Sequence, residues 1–554
     1  MNKVLGLAAV FVFGVGVWCS SPTPSEPTEF PGTMALPIGP WPLTGARPGG
    51  VSGSSLADPP AALYTFDLPD SEGDLAAQIA RGTQVFQRAQ LLHVDGGTPD
   101  AAWADAADTV KADRGILPGL LRQPLQKLVF NGTRLSQLSA LIATAGPAHV
   151  TVASRTLQAD TALTITGQNV TVDFSGAAIE VGATAPVWLV RLDHARDVAL
   201  INAKVTSGTN GFLVDSGSNI ALDGNDVGGL TENGIVVSGR SSNLDIHANH
   251  LHDLDRAAIM LDGPVETAWL ADNEIDHLRG HSNWNAGILL TSRGGDIAAD
   301  PDTFFLPDRY WVVTEPLVRR LQNPEQNVIT DNTIRDGLSS GVYDDGAVAN
   351  VFVGNRIEGN SKEGICFDNG ATANVFAGNL VAANGKRWGQ PDTDLAFDSV
   401  LGAGRGVDGT SLAKLPGISM DNALFNEIFA NDVIGNFGGG VKMVRTGLFN
   451  IVGENVIADN NLGESAQFHF FGIELGAAAA DKPAADLNFV GSSGNIAFAN
   501  TIRGKHYAGI YFGSDSVQND VVDNEIFGAE VFAIEAPAQA VELSSGIRDP
   551  NGHR

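Results

Sequence analysis

The stretch Asn350-Val-Phe-Val-Gly-Asn355-Arg-Ile-Glu-Gly-Asn-Ser-Lys-Glu-Gly364-Ile-Cys-Phe-Asp368 decides how this chain folds. Asn355 is followed two residues later by the aliphatic Ile357, and nine residues later by the pair Gly364-Ile365. Asn350 stands five residues before it. The same phrase returns along the chain. Asparagines of the Asn355 type occur at 225, 249, 273, 332, 379, 431, 455, 500 and 524, most of them 23 or 24 residues from the next. Those of the Asn350 type occur at 327, 374, 426, 450, 495 and 519. The small-plus-aliphatic pair recurs, for example at Gly287-Ile288, Gly341-Val342, Gly417-Ile418, Gly440-Val441 and Gly509-Ile510.

A period in the low twenties with only short alternating runs inside it describes a solenoid of strands, since no segment of a repeat is long enough for a helix. Two properties suit asparagine to the column. It tolerates left-handed turn backbone, and inward amides can hydrogen-bond from one coil to the next. The expected fold is all-β: about ten or more coils over residues 148–540, followed by a tail at 541–554. This pattern resembles the right-handed parallel β-helix of the pectin-lyase-like superfamily. That resemblance implies a fold and leaves the activity open, because the superfamily holds lyases, hydrolases, epimerases, esterases and adhesins.

The chain has 554 residues, 65 of them glycine, with 34 basic and 63 acidic side chains and a net charge of −29. An acidic chain is a poor partner for nucleic acid, which calls for a basic face. Two cysteines exclude a disulfide framework. Lys3, the apolar run Val4–Trp18 and Cys19 read as an export signal of lipoprotein type over residues 1–19. Trp18 departs from the small residue usual before a lipidated cysteine. Membrane attachment is expected only through a lipid on Cys19. Residues 20–60, rich in Pro, Gly, Ser and Thr, read as a tether. Residues 61–147 carry helical periodicity, at Leu75, Ile79, Val85 and Phe86 and again at Leu135, Leu138, Leu141 and Ile142. They read as an α-helical cap over the open end of the solenoid.

Extra residues gather on either side of the Gly-aliphatic strand, in segments 276–286, 292–323, 382–415, 458–471 and 477–490. Insertions confined to one face mark a binding face. Alternation then predicts the outward residues of that strand. One row holds Tyr343, Cys366, Lys442 and Glu474; the other holds Asp262, Asp345, Asp368 and Asp421. Asp345, Asp368 and Asp421 share an offset of four from their glycines and should face solvent together. Stacked like charges repel, so such a row calls for a cation such as Ca2+, or for acid/base work. Equally, Asp345-Gly346, Asp368-Asn369 and Asp421-Asn422 are pairs that end strands and make turns.

Asp345, Asp368 and Lys442 are the expected catalytic set, with Lys442 a base if its charged form is disfavoured. Asp345, Asp368 and Asp421 are the expected metal ligands. Asp421, Tyr343, Glu474, Asp262, His469 and Trp388 are expected to contact substrate. Asp344 falls at an inward position, either through an irregular strand or as a buried carboxyl. Glu363 reads as a solvated turn residue and Cys366 as incidental. Tyr343-Asp344-Asp345-Gly346 with Asp368 is similar to the acidic part of polygalacturonase-like hydrolases, and Val441-Lys442-Met443 faintly to their Arg-x-Lys. Their Gly-His-Gly is missing, as is the Asp-Pro-His-Asp/Glu motif of alginate epimerases. The aspartate row with a nearby basic residue is also similar to calcium-dependent pectate lyases. The expected function is a lyase or glycoside hydrolase, monomeric, acting on an extended acidic polysaccharide. The alternative is a non-catalytic, surface-tethered structural or glycan-binding solenoid.

Overall fold

A computed structural model describes the chain between residues 116 and 535, with gaps that are longest at 292–322, 386–414, 463–469 and 477–491. Cys19, Trp388, His469 and the sequence-predicted helix near 75–86 lie outside the described residues.

Each coil contributes one strand to each of three parallel sheets, which hold 14, 13 and 13 strands. In the coil quoted above these strands are Val351–Val353 (sheet 1), Arg356–Glu358 (sheet 2) and Ile365–Asp368 (sheet 3). Neighbouring strands pair in parallel and in register, as in Val342↔Ile365 and Ile365↔Ile418. The fold is therefore the expected right-handed parallel β-helix, with about one coil per sequence repeat. Its core is a set of apolar columns, one residue per coil. Ile357, Val381 and Val433 stack in sheet 2, and Val342, Ile365, Ile418 and Val441 in sheet 3. Phe352, Phe367 and Phe376 fill the middle, with ring centroids 6.0–6.3 Å apart.

The asparagine columns are continuous amide ladders. Asn355 accepts at Oδ1 from the backbone N–H (3.0 Å) and side-chain amide (2.9 Å) of Asn332. It donates through Nδ2 to Asn379 Oδ1 and to the Ile329 carbonyl, both at 2.9 Å. The same links run from Asn225 to Asn524. The Asn350-type column forms a second ladder, from Asn327 to Asn519. A third, unforeseen ladder joins Asn360, Asn384, Asn436 and Asn460. One expectation is corrected here. The left-handed residue at these turns is not the ladder asparagine but the one before it: Asp331, Gly354, Gly378, Ala430 and Glu454 have φ between 51° and 67°. Such a kink turns the chain so that the next side chain points inward. The asparagine is selected for its amide, not for its φ.

The glycine of the Gly-aliphatic pairs in sheet 3 has a steric cause. A Cβ on Gly341 would collide with Ile357 Cγ2 and come within 2.7 Å of the Gly364 carbonyl of the next coil.

The N-terminal end differs in part from the expected helical cap. Helix Leu135–Ala145 is present and buries Leu135, Leu138 and Ile142 against the first coils. Strand Gln126–Phe130, however, pairs in parallel with Ala148–Val152, so sheet 1 begins ahead of that helix. Its alternation is short and flanked by polar residues, which hid it within a helical texture. Helix Ile116–Leu121 lies on the outside of sheet 1, with Leu120 against Ala199 and Ala221. Further along the same outer face Val351, Val375, Glu427 and Ile451 align in register, and all are buried. No helix among the described residues is long and apolar enough to cross a membrane.

Candidate functional site

Sheet 3 builds the site. Its outward positions form the two predicted rows. One runs Val236, Met260, Leu289, Tyr343, Cys366, Ser419, Lys442, Glu474, Tyr511. The other carries Asp262 beside Thr291, then Asp345 beside Asp368, then Asp421 one coil further. Asp345, Asp368 and Asp421 thus lie on one face in successive coils, about 4.8 Å apart along the axis.

They do not face open solvent, contrary to expectation. Asp262, Asp345 and Asp368 are each 3 % exposed and Asp421 is 4 % exposed. Alternation shows direction; it does not show what folds over the outer face. Here Trp284, Tyr343, Leu289, Met260 and Cys366 form a second apolar cluster on the outside of the sheet. The acidic row runs along its edge.

Hydroxyls hold the carboxylates in place. Thr291 Oγ1 donates to Asp345 Oδ2 at 2.8 Å, and Tyr343 Oη donates to Asp368 Oδ2 at 2.9 Å. Tyr343 is fully buried, with Trp284 edge-on at 5.8 Å. It positions Asp368 and offers no open face for a sugar ring, which corrects its expected role as a groove surface. The two hydroxyl bonds orient the pair.

Behind the row stands Asp344, on a regular strand and therefore inward, beside Phe367 and Leu290. Its Oδ1 accepts from the Ala347 backbone at 2.8 Å; among the described residues its Oδ2 has no partner. Burial, with Asp345 and Asp368 adding to it, pushes this carboxyl well above the usual range despite the Ala347 bond.

Glu363 is buried and accepts from Ser340 Oγ at 3.0 Å, so it is not the solvated turn residue expected. The bond ties the turn before the Asp368 strand to the matching turn of the preceding coil. Cys366 is a buried thiol inside the outer apolar cluster.

Lys442 belongs to the other row, with Nζ 3.4 Å from Glu474. It sits two coils beyond Asp368, about 10 Å along the axis. It is therefore not part of a compact trio with Asp345 and Asp368. Tyr511 follows Glu474 in its row and stacks on Phe471, ring centroids 4.2 Å apart and 8° from parallel. The described site thus has two centres: an acidic one at Asp262–Asp421 and a mixed one at Lys442, Glu474 and Tyr511. Thr291 and Ser340 are contributors that sequence reasoning did not assign a role; their hydrogen bonds to Asp345 and Glu363 cross coils, and only the register reveals them.

The profile of the family described as "Right handed beta helix region" matches residues 188–381. No curated protein matches in sequence. Among solved structures, the A-module of the Azotobacter vinelandii mannuronan C-5 epimerase AlgE6 is 13 % identical, covering 76 % of this chain and 100 % of its own, with a TM-score of 0.41. The periplasmic alginate epimerase AlgG is 17 % identical, covering 64 % and 66 %, with a TM-score of 0.36. A DFA-IIIase from Arthrobacter chlorophenolicus A6 is 12 % identical, covering 76 % and 99 %, with a TM-score of 0.40. Identities this low transfer no catalytic residue. By its own topology and by the profile match, the chain is a right-handed parallel β-helix.

Proposed function

We propose that this protein acts on a polysaccharide along the outer face of sheet 3, with Asp345 and Asp368 at the reacting centre. One observation carries the reading: two aspartates in register on adjacent coils, nearly dry, each oriented by a hydroxyl from a neighbouring outward position. A fold stabilised by apolar stacking gains nothing from aligned like charges at this spacing. Catalysis by paired carboxyls does. Retaining glycoside cleavage uses two carboxyl groups about 5–5.5 Å apart, close to the strand spacing. A desolvated position also strengthens their action on charge that develops in a sugar.

In this reading one of the pair protonates the leaving oxygen while the other acts from the opposite side of the reacting carbon. Asp344, whose charged form burial disfavours, adds little negative charge behind them. Asp421 and Asp262 extend the row in both directions along the axis, as an extended chain would need. Lys442 with Glu474 suits a neighbouring subsite better than the reacting centre, and its cation favours an acidic sugar unit there. Ca2+ is the alternative occupant: the row offers carboxylate oxygens from three coils, the donor type that ion takes. In that case the chemistry shifts toward proton abstraction beside a uronate carboxyl. Export to the cell exterior, with a lipid on Cys19, completes the proposal.

A second reading, glycan binding without turnover, is favoured by the near-complete burial of the acids, which leaves little carboxylate open to a reacting sugar. One experiment separates the readings. Incubate the protein with polyuronides and neutral glucans, and follow unsaturated-product absorbance, then reducing ends. Absorbance that rises and is lost on chelation identifies a calcium-dependent lyase. Reducing ends alone, insensitive to chelation, identify a hydrolase. Retention on the polysaccharide with neither signal supports binding only.

A further inference from the structure

On a different face, sheet 2 holds a cluster that the reading above does not use. Strand His250–His252 places Leu251 in the core and both imidazoles outside. Asp226 is the in-register neighbour of His250 in the preceding coil, and Glu274 and Asp276 follow in the next. Donor atoms of Asp226, His250 and His252 all lie within 4.8 Å of one another. Asp226 Oδ1 is 3.6 Å from His250 Nδ1 and 3.1 Å from His252 Nε2. The two rings stack at 4.5 Å and 26°.

Each imidazole has a carboxylate at its other nitrogen. His252 Nδ1 is 2.8 Å from Asp253 Oδ2, and His250 Nε2 is 3.5 Å from Asp276 Oδ2. For His252 that is the arrangement by which metal-binding histidines are fixed in tautomer and made more basic; Asp276 is a charged neighbour of His250 Nε2 without a hydrogen bond to it. The remaining oxygen of Asp226 is held by Lys204 Nζ at 3.0 Å. The small residue at 228 is also required. A Cβ on Gly228 would run into the His252 ring, within 2.7 Å of Nδ1, so only glycine lets that ring lie back over the preceding coil toward Asp226. All three side chains remain partly open to solvent, at 27–42 % exposure, so an ion can reach them and keep water in a further position.

We propose that Asp226, His250 and His252 form a divalent transition-metal site of the two-histidine, one-carboxylate type. Imidazole nitrogen with one carboxylate selects Zn2+, Ni2+ or Cu2+ over Ca2+ and Mg2+, which take oxygen. The site ties two successive coils together from outside. It lies on another sheet from the acidic row, so its occupancy is independent of the chemistry proposed there.

The test uses full-length, chelator-treated protein titrated with ZnCl2 by calorimetry at neutral pH, with CaCl2 in parallel. The expected result is one zinc per chain and no comparable heat from calcium. His250→Ala and His252→Ala should abolish that zinc. Asp253→Asn should weaken it about 10–100-fold, since it orients His252 without binding. His194→Ala, two coils away, should leave it unchanged. Co2+ in place of zinc should give visible absorption bands that vanish in His252→Ala. Circular dichroism checks that these outward variants still fold. Absence of zinc binding in the parent protein would overturn the assignment. So would zinc binding that survives in both folded histidine variants.

Discussion

Replacing Asn355 with leucine tests what holds the coils together. The side chain is buried and joins four hydrogen bonds, two accepted from Asn332 and two donated to Ile329 and Asn379. The loss is unequal among the partners. The Asn332 amide keeps the Leu270 and Thr330 carbonyls, and Asn379 Oδ1 keeps the Asn355 backbone N–H. The backbone N–H of Asn332 loses its acceptor, which costs about 1–3 kcal/mol in a dry site. The other bonds contribute about 1 kcal/mol each, and apolar contacts of leucine return about 1–2 kcal/mol. The net expectation is destabilisation on the order of 3 kcal/mol. Urea unfolding followed by far-ultraviolet circular dichroism should show a lower midpoint. Amide exchange should be faster at Asn332 than in distant coils, because stability in a solenoid is passed between neighbours. An unchanged midpoint with unchanged protection at Asn332 would refute the ladder as a source of stability.

Further outcomes follow from particular side chains. Glu427 points outward from sheet 1 between Val375 and Ile451, and burial pushes its carboxyl from 4.5 up to about 8. The unfolded chain releases this proton first, so the group's contribution to stability is full below pH 4.5 and is lost as pH rises toward 8, by at most on the order of 5 kcal/mol. Glu427→Leu should flatten that slope and raise the urea midpoint at the alkaline end; an unchanged pH profile would contradict it. Gly341→Val drives a side chain into Ile357 and the Gly364 carbonyl, and should cost about 1–3 kcal/mol or prevent folding. A variant as stable as the parent would show that the coils can separate there. Tyr343→Phe removes the donor to Asp368 while keeping the ring, and should lower turnover with little change in melting temperature. Unchanged turnover would show that Asp368 needs no orienting hydroxyl.

How much of this was legible in the sequence differs from residue to residue. Asn355, Asn379 and the Gly-aliphatic strands were readable because a coil of fixed length imposes its period on every residue that must point inward. The direction of Asp344, inward on an ordinary strand, followed from alternation. Exposure did not: the near-complete burial of Asp345, Asp368 and Asp421 depends on what covers the outer face, and alternation carries no such information. Tyr343 shows the same limit, since its hydroxyl partner belongs to the next coil. The metal cluster was closer to hand. Asp226, His250 and Glu274 each follow a ladder asparagine by one residue, and His252 and Asp276 by three, so the asparagine column already gave their register.

The most direct test of the central claim is turnover by the double variant Asp345→Asn, Asp368→Asn. Both substitutions keep shape and one acceptor oxygen each while removing charge, so the fold should persist with an unchanged circular dichroism spectrum. Comparison with the parent on whichever polysaccharide the parent cleaves should show turnover lost with polysaccharide binding largely retained. Undiminished turnover in the folded double variant would contradict the account, and would move the reacting centre away from the acidic row of sheet 3.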